Sequence, residues 1–341
     1  MSKFKQQRSA KFTLAGLVAA TMLAFAPNLW AGGDVVHWWV GDAESKALKV
    51  IVDEFERSGG KWVDTPHSDS KAAHASVKSR VIGGKPPAAV LMVVGATSQE
   101  WAKGGMLNDV DSVAKAENWD AVLPDGVASA SKQNGKYIAA PVFISTVNWR
   151  YASLSVLQSA GVDEPMSWGA FMTSLPRIQK AGYIPIAMGG QDWQETLLFD
   201  HVALGAGGAQ YFRELLDGNM DTIDSDDTTR VFAAMRALAP YTDAGKAGRS
   251  WGDTNNLVIS GKAAYFFMGD WAKGGFLQAK KNPGKDFSCE ISPGSGMVLT
   301  AVDGFAFPKT SSSSDQATQR ALASAMMNKE VQTKAALIKG A

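Results

Sequence analysis

Alternation between short apolar runs and segments of helical periodicity is the feature that most constrains the fold. Residues 88–94 are apolar at every position, which is typical of a strand buried on both faces, and Gly95 ends the run. From Ser45 to Arg57, apolar residues recur at helical spacing instead. Because the same alternation continues along the chain, we predict an α/β protein built from layers of strands and helices.

Glycine, proline and polar turn residues set the predicted element boundaries. Strands are predicted at 35–40, 61–64, 88–94, 137–143, 182–187, 263–268 and 302–307, with the fourth interrupted at Pro141. Helices are predicted at 45–57, 72–82, 98–103, 167–181, 194–203, 209–216, 227–238, 316–327 and 330–337.

The first 31 residues have the pattern of a signal peptide. An uncharged stretch at 12–33 is preceded by four basic residues and no acid. The basic residues are Lys3, Lys5, Arg8 and Lys11. Ala31 offers a cleavage site. An uncleaved membrane anchor is the alternative, but Pro27 leaves the apolar stretch too short for a comfortable span. We therefore predict export to a bacterial periplasm and cleavage after Ala31.

Charge and cysteine content exclude several classes of protein. Removal of the four leader charges changes the formal net charge from +1 to −3, which is no basic footprint for nucleic acid. The only cysteine, Cys289, lies far from the predicted cleavage site, so we expect neither a lipid anchor nor an internal disulfide. The four histidines lack metal-ligand spacing and are expected to be satisfied surface or core residues: His37, His67, His74 and His201. We predict no metal and no cofactor.

Two adjacent tryptophans, Trp38 and Trp39, end the first predicted strand, and Glu44 follows in the turn into the next helix. In open α/β sheets, ligands bind outside the carboxyl ends of strands. Indole faces stack on apolar CH patches and a carboxylate accepts hydrogen bonds from hydroxyl groups, a pairing that suits a sugar. The alternative is that the pair belongs to the core, although side-chain alternation lets at most one of them face inward.

Further motifs occur in a characteristic order along the chain. They are His37-Trp38-Trp39 with Glu44, and the segments 84–87 (GKPP), 101–105 (WAKGG), 147–149 (VNW), 189–194 (GGQDWQ), 261–264 (GKAA), 268–274 (MGDWAKG) and 302–305 (VDGF). In these motifs the chain resembles the periplasmic glucose- and mannose-binding proteins of ABC transporters, in family 1 of the extracellular solute-binding proteins. The resemblance covers nearly all of the predicted mature chain.

The resemblance implies a two-lobed periplasmic binding protein-like fold of class II type, with the ligand cleft between the lobes. About 310 mature residues suffice for two cores. The strands at 137–143 and 302–307 border an insertion, so lobe 1 is expected at 32–141 plus 302–341 and lobe 2 at 142–301. The implied function is capture of a monosaccharide, glucose or mannose, by a monomer that delivers it to an ABC transporter permease and is not an enzyme.

The residues that match the family's sugar-contacting motifs are Trp38, Trp39, Glu44, Trp251, Asp303 and Lys339. A second group is Trp193, Gln194, Asp270 and Trp271. Structural alternatives remain open: Trp251 as a core residue, Asp303 as a brace at a hinge, Lys339 as a solvated lysine at a helix end, and Asp270 with Trp271 as structural residues.

Departures from the family pattern predict an altered site. Residues 67–71 replace a glycine-rich loop, Val93 and Val94 stand where a lysine is common, and 145–147 lack a histidine. Relatives continue beyond Ala341, so we expect a truncated chain that binds glucose or mannose more weakly than a full-length relative and whose segment 334–341 is mobile without ligand. The alternatives are a sensor, a degenerate relative without transport function, or a carbohydrate-active enzyme with Glu44 and Asp303 as its acid and base.

Overall fold

Two β-sheets organise residues 32–340, the part of the chain that the computed structural model describes. The predicted signal peptide lies outside these residues. The strands are β1 (Gly33–His37), β2 (Trp62–Pro66), β3 (Ala89–Val93), β4 (Lys132–Gln133), β5 (Lys136–Tyr137), β6 (Ala139–Thr146), β7 (Trp149–Ser153), β8 (Ile184–Ile186), β9 (Ala263–Met268), β10 (Phe287–Ile291) and β11 (Thr300–Ala306).

The helices are α1 (Asp42–Arg57), α2 (Ser70–Ile82), α3 (Ala96–Lys103), α4 (Asp111–Ala116), α5 (Trp119–Val122), α6 (Asp125–Ala130), α7 (Leu154–Ala160), α8 (Trp168–Lys180), α9 (Asp192–Val202), α10 (Gly208–Leu216), α11 (Met220–Ile223), α12 (Asp226–Leu238), α13 (Trp251–Ile259), α14 (Ala272–Gln278), α15 (Ser313–Met327) and α16 (Lys329–Lys339). A π-helical turn, Ala203–Gly207, joins α9 to α10. None of the helices in 32–340 has the length and apolar character that a membrane crossing requires.

The first sheet has the order β2-β1-β3-β11-β6, and the second has the order β10-β7-β9-β8. β1 runs parallel to β2 and β3, whereas β11 is antiparallel to both of its neighbours. β4 and β5 form a separate two-stranded ribbon. Each sheet buries its own apolar core beneath its helices, which produces two lobes. The predicted α/β class and two-lobed fold are therefore confirmed.

Two connecting segments pass between the sheets, at 147–148 and 292–299. Asn148 joins them, because its Nδ2 donates to the Met297 carbonyl at 2.9 Å and its Oδ1 accepts from the Leu299 N–H at 2.8 Å. The first sheet includes the two ends of the predicted second lobe, 142–301. β6 extends beyond the first border to Thr146, and β11 starts before the second border, at Thr300. The lobe division itself remains a prediction.

The predicted first strand and helix are wrong at their shared boundary. β1 ends at His37, and α1 begins at Asp42 because the Glu44 side chain accepts a hydrogen bond from the Gly41 N–H and caps the helix. Glu44 therefore lies in the first turn of α1 and not in the preceding turn.

The interruption predicted at Pro141 is a shift in strand pairing and not a break in the strand. β6 continues through Pro141, which lacks a backbone donor, because a register shift at Asp303 and Gly304 of β11 absorbs the irregularity. Gly304 permits this approach, since a Cβ there would lie 2.6 Å from the Ala140 carbonyl oxygen. Several short elements were not predicted, including β7, β10 and α13.

The C-terminal helix is packed on the first lobe, while the mobility expected for 334–341 without ligand remains a prediction. The Asn328 side chain caps α16, which lies against α1 with Ala335 and Lys339 fully buried. Its apolar face covers the first core, and that burial holds the last turn in place.

Candidate functional site

A cleft of about 470 Å³ opens between the two sheets. From the first lobe it is lined by the segment after β1, the start of α1, the end of β3 and β11. From the second lobe it is lined by the segments before α9 and α13 and the segment after β9. Val93, predicted to be buried on both faces, is 49% exposed because it points into this cleft.

Both adjacent tryptophans border the cleft, but they differ in exposure. Trp39 is only 1% exposed and packs its ring 5.2 Å from Phe143 and 5.6 Å from Phe305. Trp38 is half-buried, lines the cleft and makes an edge contact with His74 at 5.4 Å. Neither tryptophan lies in a regular strand, because β1 ends at His37. Trp38 also packs against the first core, but its ring is partly exposed and offers the accessible face.

Three more tryptophans reach the cleft from the second lobe: Trp193, Trp251 and Trp271. The rings of Trp193 and Trp271 lie 6.4 Å apart at a tilt. Trp251 is the first residue of α13, which the Ser250 hydroxyl caps. It approaches the other lobe closely, because a Cβ on Gly41 would lie 3.1 Å from its Cζ2 atom.

A buried ion pair forms the floor of the cleft. The ammonium group of Lys339 donates to Oδ2 of Asp303 at 3.0 Å, and the Lys339 side chain is 1% exposed. Three aromatic rings surround this ammonium, with centroids at 4.6 Å for Phe143, 5.0 Å for Trp39 and 5.7 Å for Trp271. Pairing and the ring faces together compensate the desolvation of the charge.

Glu44 lies beside this pair and is 7% exposed. Its Oε2 accepts the Gly41 N–H at 3.0 Å. Burial raises the pKa of Glu44 to about 7; the Lys339 charge and the Gly41 hydrogen bond lower it in part, and Asp303 adds to the rise. The carboxyl group can therefore change its charge near neutral pH.

Two of the candidate residues do not line the cleft. Gln194 is buried behind it and donates to Oε1 of Gln191, which does line it. Asp270 accepts the Thr146 N–H at 2.7 Å and donates its own N–H to the Thr146 carbonyl, so it binds the end of β6. Burial raises the pKa of Asp270.

Sequence reasoning missed several lining residues. Asp69, the cap of α2, lines the cleft together with Ser68 and Ser70, in the stretch that departs from the family's glycine-rich loop. The signal was the Asp-Ser pair before a helical segment, a cap pattern that places polar groups at a helix start. Gln191 before α9 has the same position relative to its helix.

Within residues 32–340, one histidine lacks the hydrogen-bond partners that were expected for all four. His201 is 0% exposed, and neither of its ring nitrogens has a hydrogen-bond partner among the described residues. It packs against Phe267 at 4.7 Å in the second core, and burial lowers its pKa to about 3.

Comparisons with known proteins agree with this architecture. Residues 41–332 match the family model described as bacterial extracellular solute-binding protein. A probable sugar-binding periplasmic protein of Rhizobium meliloti (strain 1021) is 37% identical over 334 residues, which cover 97% of this chain and 80% of the relative. A protein of Brucella suis biovar 1 (strain 1330) with the same description is 37% identical over 310 residues, covering 90% and 73%.

Solved structures share the fold at low identity. A chitin oligosaccharide binding protein has a TM-score of 0.77 at 18% identity and covers 90% of this chain and 80% of its own. The bacterial solute receptor AcbH, described as having an exclusive preference for β-D-galactopyranose, has a TM-score of 0.73 at 22% identity and covers 89% and 78%. The family match and the relatives show that this chain belongs to the bacterial extracellular solute-binding proteins.

Proposed function

We propose that this chain captures a monosaccharide, glucose or mannose, in its cleft and delivers it to an ABC transporter permease. The proposal includes export to the periplasm, removal of residues 1–31, and action as a monomer without enzymatic turnover. Relatives described as probable sugar-binding periplasmic proteins support the sugar class and the compartment. The choice of glucose or mannose comes from the sequence motifs.

One observation carries the proposal: aromatic faces and polar charged groups meet in a single cleft between the lobes. Four partly exposed tryptophans line it, together with Glu44, Asp303 and Lys339. A sugar ring presents apolar CH faces and a rim of hydroxyl groups. Such a ligand needs stacking surfaces on its faces and hydrogen-bond partners at its edge, which this combination supplies.

Each candidate residue has a proposed role in that arrangement. Trp38 and Trp251 stack on the sugar from the two lobes, while Glu44 and Asp303 accept hydrogen bonds from its hydroxyl groups. Lys339 donates to an oxygen of the sugar and holds Asp303. The remaining candidates act around them: Trp39 supports Lys339 from the core, Trp193 and Trp271 form the second-lobe wall, Gln194 orients Gln191, and Asp270 holds the end of β6.

Binding would close the lobes by rotation about the connecting segments. A ligand that contacts both lobes has greater affinity for the closed arrangement and shifts the population toward it. The connecting segments are held together by Asn148 and can act as a unit during that motion. The proposed lobe division, 32–141 plus 302–341 against 142–301, places the cleft across this hinge.

Calorimetric titration against a sugar panel tests the proposal. D-Glucose, D-mannose, D-galactose, D-xylose and chitobiose would be titrated into the exported protein, and the same samples would be assayed for glycosidic hydrolysis. Saturable binding of D-glucose or D-mannose without turnover is the expected result. Absence of binding to every sugar would overturn it and favour a degenerate relative, whereas hydrolysis would favour Glu44 and Asp303 as a catalytic pair.

A further inference from the structure

The short helix α14 contains two adjacent glycines, Gly274 and Gly275, in its interior. Glycine in a helix interior destabilises the helix relative to alanine, because it loses more conformational freedom on folding. Neither residue has a positive φ, so backbone geometry does not require glycine at these positions. The reason must lie in what a side chain would meet.

Gly274 faces the end of α16 in the other lobe. A Cβ built on Gly274 would lie 2.7 Å from the Lys339 carbonyl oxygen, 3.3 Å from that of Ile338 and 3.1 Å from Cβ of Ala43. Two of these three atoms are backbone and cannot move without moving the helix. The approach is mutual, since a Cβ on Gly340 would lie 2.8 Å from the Gly274 nitrogen.

Gly275 faces the interior of its own lobe. A Cβ there would lie 2.7 Å from the Nδ2 atom of Asn255, in α13. The two glycines therefore permit contacts of equal closeness in different directions. Gly274 allows the two lobes to meet, and Gly275 allows α14 to pack on α13.

The residue that packs closely on Gly274 is Lys339, which forms the ion pair at the floor of the cleft. The Lys339 backbone lies against Gly274, while its ammonium reaches Asp303 and the ring of Trp271. Trp271 directly precedes α14, so the same helix positions both the ring and the seat of the lysine. A displacement of α16 at Gly274 would move the ammonium away from all of its partners together.

We propose that Gly274 is a positioning residue for ligand binding: its missing side chain lets α16 seat against α14, and this seat holds Lys339 between Asp303 and the aromatic rings of the cleft floor. The inference rests on the proposed sugar-binding function for its affinity readout. It assigns Gly274 no contact with the ligand.

The test compares Gly274→Ala with Gly275→Ala in the full chain. Both variants add one methyl group to the same helix, 2.7 Å from a backbone oxygen in Gly274→Ala and 2.7 Å from the end of the Asn255 side chain in Gly275→Ala, so Gly274→Ala is expected to lose more stability. Gly274→Ala is expected to weaken binding of D-glucose or D-mannose at least tenfold, and Gly275→Ala is expected to bind as the wild type does. Calorimetry well below each melting temperature separates affinity from stability.

A second readout requires no sugar. Because the Lys339 charge lowers the pKa of Glu44, its displacement should raise the midpoint of a tryptophan fluorescence titration between pH 5 and 9. Trp251 is the expected reporter of this titration, because it lies close to Gly41, whose N–H donates to the Glu44 carboxyl group. The midpoint should rise in Gly274→Ala and stay constant in Gly275→Ala.

Lys339→Met tests directly whether Gly274 acts through the Lys339 ammonium group, and it keeps the test decisive if Gly274→Ala does not fold. It should weaken sugar binding and raise the titration midpoint, and adding Gly274→Ala to it should cause no further loss of affinity. The inference is overturned if Lys339→Met leaves both readouts unchanged, or if the two alanine variants behave alike. If the wild type binds no sugar, the proposed function fails, and the fluorescence titration still decides the role of Gly274.

Discussion

The Glu44 carboxyl group should make the stability of the folded chain depend on pH. It is buried in the first turn of α1, and its hydrogen bond to the Gly41 N–H and the nearby Lys339 charge only partly compensate the loss of solvent. Replacement of Glu44 by Gln retains the side-chain length and an acceptor oxygen for Gly41 while it removes the titration. Glu44→Gln is therefore the informative perturbation.

The sign follows from proton binding. The pKa of Glu44 rises from an ordinary value of 4.5 to about 7 on folding, so between these pH values the folded chain binds the proton more tightly than the unfolded chain. The free energy of unfolding therefore falls as pH rises through this window and levels off above it. At 1.36 kcal/mol per pKa unit, the full loss is roughly 3 kcal/mol. Glu44→Gln avoids this loss.

Urea denaturation of the wild type and Glu44→Gln at pH 5, 6, 7 and 8 measures the effect. The variant should gain in stability relative to the wild type as pH rises, by up to roughly 3 kcal/mol at pH 8. Asp200 and His201 also titrate with shifted pKa values, but they are present in both proteins and cancel in the difference. Glu100→Gln, at an exposed position in α3, is the control. A difference between wild type and Glu44→Gln that stays constant from pH 5 to 8 would refute the reasoning.

Three other predictions follow from single side chains. Trp38→Ala should weaken sugar binding at least tenfold in calorimetry while Trp62→Ala leaves it unchanged, because a stacked ring contributes about 0.5–1.5 kcal/mol beyond its apolar contact. Glu164→Ala should lower the free energy of unfolding in urea by about 3 kcal/mol, because it removes the carboxylate that pairs with buried Arg150. His201→Phe should remove a loss of stability in acid, because folding lowers the pKa of His201 from 6.5 to about 3. The free energy of unfolding of the wild type should fall by roughly 2 kcal/mol from this group between pH 6.5 and 5, measured as melting temperature against pH.

Each of these predictions has a contradicting result. Equal losses of sugar affinity in the two tryptophan variants would remove Trp38 from the site. A loss below about 1 kcal/mol in Glu164→Ala, as expected for an exposed pair such as Lys49 with Asp53, would show that Arg150 needs no partner. Parallel melting curves for wild type and His201→Phe from pH 7 to 5 would show that His201 does not oppose folding in acid.

Local patterns in the sequence determined the α/β class and the type and approximate place of the long elements. The apolar run at 88–94 and the helical spacing at 45–57 correspond to β3 and α1, because burial periodicity is a local property of the chain. The boundary at Glu44 was missed, since whether a polar residue caps a helix depends on the direction of its side chain. The short strands β7 and β10 were missed because their pairing with each other, not their composition, makes them strands.

Sequence motifs and tertiary structure each determined part of the ligand cleft. Glycine and aromatic motifs indicated Trp38, Glu44, Trp251 and Asp303, but only the tertiary structure shows that Trp38 is partly exposed in the cleft while the ring of Trp39 beside it is buried. Tertiary packing also decided the fate of Lys339. A lysine at the end of a helix is ordinarily solvated. Here the long-range approach of α16 to α14 and β11 buries it beside Asp303, and no pattern within α16 contains the distant groups that compensate its charge.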